Sequence, residues 1–333
     1  MSLENIGEEN RQLPNPIDDL IKEKGCLVLD GALATELQAR GCDIDGPLWS
    51  ARALYENPDL IRQVHLDYFR AGADIVITAT YQASVPGLHA IDYSTEEALG
   101  LMKRSVQLAQ QAQRQYVLES QKTGFLIAGS IGPYGAYLAD GSEYTGDYRL
   151  SLDGMLDFHR PRMKALIEAG VDILAFETIP SVRDLTGFVA LLLTEFPSAT
   201  AYISFTIRDK NHISDGSPLS NVMKLVNMCP QFVAVGVNCI DESKVTGALE
   251  TLSHLTSKPL IAYPNSGQQY DVDSNSWTGE NGFRTSLADK VAKWRSLGAR
   301  VIGGCCQTSP EDIRLVAIVL KAERDSSISG TVE

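Results

Sequence analysis

The sequence predicts an α/β chain folded as a single domain, a (β/α)8 barrel of the TIM type. Three observations predict it. Eight short apolar runs alternate with longer segments of helical periodicity, and parallel strands need such crossover helices between them. Polar or reactive residues close nearly every run, as in barrels whose chemistry gathers at the C-terminal face of the strands. No Gly-x-Gly-x-x-Gly follows the first run, where the loop reads Asp30-Gly31-Ala32-Leu33, so an open doubly wound sheet is the weaker alternative.

The predicted strands are 26–29, 74–79, 125–130, 172–176, 200–205, 232–237, 259–263 and 300–302. Helix signals fill the gaps. Asn57-Pro58-Asp59 combines a capping residue, a proline in the first turn and an early acid, and Ile61, Val64, Tyr68 and Ala71 then recur on one face. Ala71-Gly72-Ala73 stops that helix. Ala169-Gly170 and Leu297-Gly298 stop the helices before the fourth and eighth strands. Ser309-Pro310-Glu311-Asp312 starts the last helix, continued by Ile313, Val316, Ala317 and Leu320. The expected organisation is a polar N-terminal extension over 1–20, a barrel over 21–322 and a solvated tail over 323–333.

With 333 residues, 44% of them hydrophobic, the chain can bury a large core. Its net charge of −13 and the lack of any Lys/Arg cluster argue against nucleic acid as a partner. No run reaches the roughly 20 apolar residues of a membrane helix, and residues 1–16 carry no secretory pattern. Six cysteines without an Asn-x-Ser/Thr sequon suit a reducing compartment, so the expected location is cytoplasmic. The oligomeric state is not legible.

Gly303-Gly304-Cys305-Cys306 is the strongest chemical signal. Adjacent side chains of a strand point to opposite faces, so two neighbouring thiols meet one target only where the strand has ended and the chain turns. The glycines are expected to permit that turn through backbone angles other residues avoid. Cys239 ends a similar apolar run. Three thiolates from two strand ends form a soft, three-sided cage suited to Zn2+ with one position open. Cys26, Cys42 and Cys229 read instead as small buried hydrophobes. A Cys305–Cys306 disulfide and a thiol redox sensor remain alternatives at this level.

The strand ends carry Asp30, Thr80, Gly132, Glu177-Thr178, Thr206, Asn238-Cys239, Pro264-Asn265 and Cys305-Cys306. Strands one and eight are neighbours in a closed barrel, which brings Asp30 towards the cysteine pair.

Asp30-Gly31-Ala32-Leu33-Ala34-Thr35-Glu36-Leu37, Gly236-Val237-Asn238-Cys239 and Gly303-Gly304-Cys305-Cys306 together resemble the zinc-dependent homocysteine S-methyltransferases, over about residues 25–320. Ser130-Ile131-Gly132-Pro133-Tyr134-Gly135-Ala136 and Asp140-Gly141-Ser142-Glu143-Tyr144 resemble the branch using S-methylmethionine. The resemblance implies a (β/α)8 barrel with zinc on Cys239, Cys305 and Cys306. It implies substrate contacts by Asp30 and Glu177 to the homocysteine amino group, by amides at Gly31 and Ala32 to its carboxylate, and by Asn238. The plainer reading of Asp30 and Glu177 is as helix caps.

A sulfonium donor has an electrophilic methyl carbon and a neutral thioether leaving group, so no general acid is needed. Trp49 is a candidate to face that cation, with Tyr81 and Tyr134 behind it; Trp49 reads equally as a packing residue on the rim. By the match to the family, Gln82 stands where betaine-using relatives carry a tyrosine, which disfavours betaine and favours S-methylmethionine, with S-adenosylmethionine weaker. Gln82 reads alternatively as a solvent-facing loop residue. His65 and His159 lie in helical patterns and are read as surface or packing residues, with no catalytic role. A betaine-type methyltransferase is the alternative within the enzyme class, and the chain lacks room for the domains of a cobalamin-using enzyme.

Overall fold

Apart from the fourth, the strands fall within two residues of the apolar runs, and they assemble into a closed barrel. The structure, a computed structural model, describes residues 13–42, 50–267, 269–271, 276–278 and 281–329. Trp49 lies outside the described residues. Eight parallel strands run β1 Leu27–Val28, β2 Ile75–Ile77, β3 Leu126–Ile131, β4 Ile173–Ile179, β5 Ala201–Phe205, β6 Phe232–Asn238, β7 Leu260–Tyr263 and β8 Ala299–Ile302. Their spatial order is β1-β8-β7-β6-β5-β4-β3-β2, and a parallel bridge from Leu29 to Ile75 joins the two ends. The barrel is therefore closed, and the open-sheet alternative falls.

One long helix follows each strand: α1 Pro58–Ala71, α2 Thr95–Ser120, α3 Leu152–Glu168, α4 Val182–Thr194, α5 Leu219–Met228, α6 Glu242–Ser253, α7 Leu287–Ser296 and α8 Pro310–Ser329. The Ser309 start is realised as a reciprocal pair: the Ser309 amide donates to Asp312 Oδ2 at 2.8 Å, and the Asp312 amide faces Ser309 Oγ at 3.4 Å. Asn57 does stand before α1, but its side chain makes no capping bond; Nδ2 reaches Cys42 Sγ at 3.6 Å instead.

Two apolar layers result. Leu27, Leu29, Ile75, Leu126, Ala128, Ile173, Ala175, Tyr202, Ala234, Ile261, Tyr263 and Val301 fill the barrel interior, at alternate positions of their strands. A larger layer, with Phe69, Phe176, Phe188, Phe232 and Trp294, lies between strands and helices. The helix Pro16–Lys24 adds Ile17 and Leu20 to the interior cluster. The expected boundary at residue 20 thus falls inside this helix, and the expected start of the tail at 323 falls inside α8. Ile17 and Leu20 are apolar where the first helix meets the barrel, whereas the buried apolar residues of α8 end at Leu320, so its last turns continue the helix outside the core.

β4 also runs three residues beyond its predicted end. Its pairing with β5 is regular to Phe176↔Ile203 and resumes at Ile179↔Phe205, so Glu177 and Thr178 sit at an irregularity within the strand. Thr178 has a φ of 61° there, in the left-handed region that a β-branched residue rarely enters. Bulges of this kind re-aim side chains beside active sites.

Candidate metal centre and substrate site

Alternation along each strand sets the floor of the site. Leu126 and Ala128 point inward on β3, so Ser130 does as well; Ile173 and Ala175 lead likewise to Glu177. Above the apolar layers these positions turn polar and join into a continuous belt. Ser130 Oγ donates to Glu177 Oε1, and Tyr263 Oη donates to Glu177 Oε2 at 3.3 Å. Tyr263 Oη also contacts Ser204 Oγ at 2.5 Å, where either hydroxyl can be the donor, and Ser204 Oγ lies 2.8 Å from Asn238 Oδ1. Asn238 in turn accepts from the Thr178 amide at 2.7 Å and donates to Thr178 Oγ1 at 2.8 Å. Every member except Glu177 and Thr178, which share β4, projects from a different strand, so the belt ties β3, β4, β5, β6 and β7 together.

Three sulfurs lie above it. Sγ of Cys239, Cys305 and Cys306 all fall within 4.8 Å of one another, and Cys239 to Cys306 is 3.6 Å. Sulfurs bound to one tetrahedral zinc at about 2.3 Å stand about 3.8 Å apart, so the donor set fits that ion in both spacing and softness. No cysteine is in a disulfide. Cys239 is placed by a left-handed turn, φ 52°, immediately after β6, and its amide donates to Tyr263 O at 3.2 Å. The Cys305 amide donates to Pro264 O at 2.7 Å and the Ser266 amide to Cys306 O at 3.0 Å, so the loop after β7 braces the cysteine pair.

The glycines before that pair act differently from the expectation. Neither Gly303 nor Gly304 has a positive φ; the positive φ in this loop belongs to Gln307, at 62°. They are glycines for lack of room. A Cβ on Gly303 would lie 2.7 Å from Asp30 O and Leu29 O, and one on Gly304 would lie 2.4 Å from Thr308 Oγ1. Spacing alone cannot tell a turn from a close approach.

Two buried carboxylates face the cluster. Asp30, 2% exposed, has its Oδ2 bonded by the Ile77 amide at 2.8 Å, and burial pushes its pKa well up, helped by the Glu177 charge. Burial pushes Glu177 up to about 7 against the pull of Ser130 and Tyr263, with the Cys239 charge adding to the rise. Neither carboxylate caps a helix, so the plainer reading fails for both. An ammonium between them would restore both charges.

Other expected residues are placed unevenly. The Ala32 amide is engaged at 3.3 Å with both Thr308 Oγ1 and Thr308 O, while the Gly31 amide has no partner among the described residues. Gly31 itself is packed against Thr308 and Tyr68. The Asn238 carboxamide is wholly buried and spent on Thr178 and Ser204. Gln82 is 4% exposed, so it does not face solvent; its Nε2 donates to Ala136 O at 2.9 Å and its Oε1 has no partner among the described residues. Tyr81 feels the charges of Glu143, Cys239 and Glu177 and so borders the site, whereas Tyr134 packs its ring on Tyr137, Tyr148 and Phe158. His65 and His159 are fully buried packing residues, with His65 pushed down to about 4 by burial.

Sequence reasoning missed Tyr144, whose Oη lies 3.4 Å from Cys239 Sγ, and Arg162. The Arg162 guanidinium is buried and donates to Tyr81 O at 2.8 Å and Gly132 O at 2.7 Å, holding the loops after β2 and β3 together. An arginine amid the apolar positions of α3 was the available signal.

Comparison with known proteins decides the family. The homocysteine S-methyltransferase family model matches residues 27–320. The chain belongs to the homocysteine S-methyltransferase family. It is accordingly a methyltransferase acting on small molecules. It is 50% identical over 300 residues to "Homocysteine S-methyltransferase" of Escherichia coli (strain K12), covering 90% of this chain and 96% of that protein. It is 47% identical to "Homocysteine S-methyltransferase YbgG" of Bacillus subtilis (strain 168), covering 91% and 97%. Among solved structures, the metallated form of the Escherichia coli homocysteine methyltransferase MmuM superposes with a TM-score of 0.83 at 47% identity, covering 93% of this chain and 100% of that one. No helix among the described residues is long and apolar enough to cross a membrane.

Proposed function

We propose that this chain transfers a methyl group from a sulfonium donor, S-methylmethionine foremost and S-adenosylmethionine more weakly, to homocysteine, giving methionine with Zn2+ as cofactor. The observation that carries the reading is the trio of sulfurs within 4.8 Å, set above two buried carboxylates. Cys239, Cys305 and Cys306 would hold the zinc. Zinc bound there supplies a Lewis acid that keeps a thiol deprotonated at neutral pH, where a free thiol with a pKa of about 8.5 is mostly protonated. No fourth His, Cys, Asp or Glu joins the cluster among the described residues, which favours an open catalytic position over the closed set of a structural or sensory site.

The chain's own residues bind and orient. Asp30 and Glu177 take the homocysteine ammonium, and the Gly31 amide is the available donor for its carboxylate. Asn238 acts as a positioning residue, through Thr178, rather than as a contact. Binding thereby fixes where the acceptor sulfur lies, and alignment of sulfur, methyl carbon and leaving sulfur becomes a matter of position. The sulfonium leaves as a neutral thioether, so the lack of a titrating histidine in the site is no obstacle. Reduced cysteines suit the cytoplasm.

The test is an assay of the zinc-loaded protein with homocysteine and each of S-methylmethionine, S-adenosylmethionine and betaine. Methionine should form fastest with S-methylmethionine and hardly at all with betaine. Comparable kcat/KM for betaine would overturn the donor assignment, and no methionine from any donor would overturn the reaction.

A further inference from the structure

Glu143 is a buried carboxyl group with no cation paired to it among the described residues. It sits in the short 3-10 turn Ser142–Tyr144, in the loop after β3. Its side chain is 4% exposed, and its Oε2 is buried with no hydrogen-bond partner among the described residues. The neighbouring titratable groups that bear on it, Cys239 and Asp140, are both acids. Its neighbour Tyr144 touches Cys239 Sγ, and Tyr81 feels both Glu143 and Cys239, so the carboxylate borders the sulfur cluster. Its backbone is pressed onto the helix Tyr134–Leu138, where a Cβ on Gly135 would lie 2.6 Å from the Glu143 amide nitrogen. Gln82 bonds the next residue of that helix, Ala136, and presents a second buried, unpartnered acceptor, Oε1. A buried carboxylate without a counter-charge is costly, and two unmet acceptors flanking one short helix mark a place where a donor group is missing.

Resting on the methyl-transfer reading above, we infer that Glu143, with Gln82 packed on the same short helix, receives the α-ammonium of an amino-acid methyl donor. The homocysteine ammonium has its own pair, Asp30 and Glu177. The sulfonium is the wrong cation for Glu143 on energetic grounds. It loses its charge as the methyl group leaves, so a carboxylate against it would stabilise the ground state more than the transition state and slow the reaction. The ammonium keeps its charge throughout, and a carboxylate there binds both states equally. Glu143 is thus a specificity residue that selects donors carrying an amino group, and its loss should appear in KM rather than kcat.

The experiment compares S-methylmethionine with 4-dimethylsulfoniobutanoate, the same donor lacking the amino group, in the zinc-loaded wild-type enzyme and in Glu143→Gln. The wild type should prefer S-methylmethionine by on the order of 10- to 100-fold in kcat/KM, as expected for a buried charge-assisted bond. Glu143→Gln should erase most of that preference by raising the S-methylmethionine KM, leaving kcat, the homocysteine KM and zinc content near wild type. Calorimetry without homocysteine should show the same loss of S-methylmethionine affinity, independent of turnover. Should the Gln variant fold poorly, Glu143→Asp carries the test, with an intermediate preference expected. An unchanged preference, equal losses with both donors, or a rise in homocysteine KM would overturn the inference while leaving methyl transfer intact. Absence of transfer from either donor in the wild type would overturn both.

Discussion

Asn238 on β6 holds Thr178 on β4 by a reciprocal pair of hydrogen bonds, accepting from its amide at 2.7 Å and donating to its hydroxyl at 2.8 Å. Thr178 needs such a clasp, because its left-handed φ of 61° costs on the order of 1–3 kcal/mol for a residue of this type. That conformation in turn sets the direction of Glu177. Asn238→Ala is expected to lower stability by about 2–4 kcal/mol through unmet buried groups and to raise the homocysteine KM at least about tenfold. Steady-state kinetics with each substrate varied will check this; an unchanged homocysteine KM would leave Asn238 a purely structural part.

Glu177 predicts a pH dependence. In the folded chain burial raises its pKa to about 7, against 4.5 for an ordinary glutamate. Between those values the folded state holds a proton that the unfolded state has lost, so stability is full below about 4.5 and falls as pH rises through about 7. Its share is on the order of 3 kcal/mol. Denaturant titrations of metal-free protein at stepped pH should show this decline, and Glu177→Gln should flatten it. A wild-type curve no steeper than that of the variant would contradict the assignment.

Much of this was legible in the chain, and the exceptions have physical causes. The eight strands could be read because parallel strands buried on both faces are short unbroken apolar runs, and the three cysteines that cluster because thiols at strand ends stand out from that background. Thr178 could not be read, since a bulge depends on pairing between β4 and β5. Tyr144, Glu143 and Arg162 act across loops that the sequence places nowhere near one another. Gly303 and Gly304 were recognised, yet for the wrong reason: the approach of Asp30 and Thr308, not torsional freedom, excludes a side chain.

That close approach is testable. Gly304→Ala should push Thr308 away, and Thr308 Oγ1 holds Cys305 O at 2.6 Å. Overpacking of this kind costs about 1–3 kcal/mol, and here it should also lower bound zinc, because the loop carrying two of the proposed ligands must shift. Metal analysis beside thermal melts will separate the two effects; full zinc content would show that the loop tolerates the methyl group.

Arg162 predicts an effect on the donor side. Replacing it by Met leaves the Gly132 carbonyl unpaired in the interior and takes one of two donors from the Tyr81 carbonyl, which keeps the Gly132 amide at 3.2 Å, at a cost of about 1–3 kcal/mol. Arg162→Lys should rescue only in part, because one ammonium cannot span both loops as the planar guanidinium does. The KM for S-methylmethionine should rise while zinc is retained. Loss of zinc in the Lys variant would instead connect Arg162 to the cysteine loop.

The central claim is that Cys239, Cys305 and Cys306 hold one zinc ion and leave a position for the acceptor sulfur. Zinc K-edge absorption, with metal analysis on the same sample, tests it most directly. The account predicts one zinc per chain with three sulfur neighbours at about 2.3 Å, and four once homocysteine is added. Three Cys→Ser single variants should each lose most of the metal. A protein that binds no zinc, or one that already shows four protein ligands and does not respond to homocysteine, would contradict it.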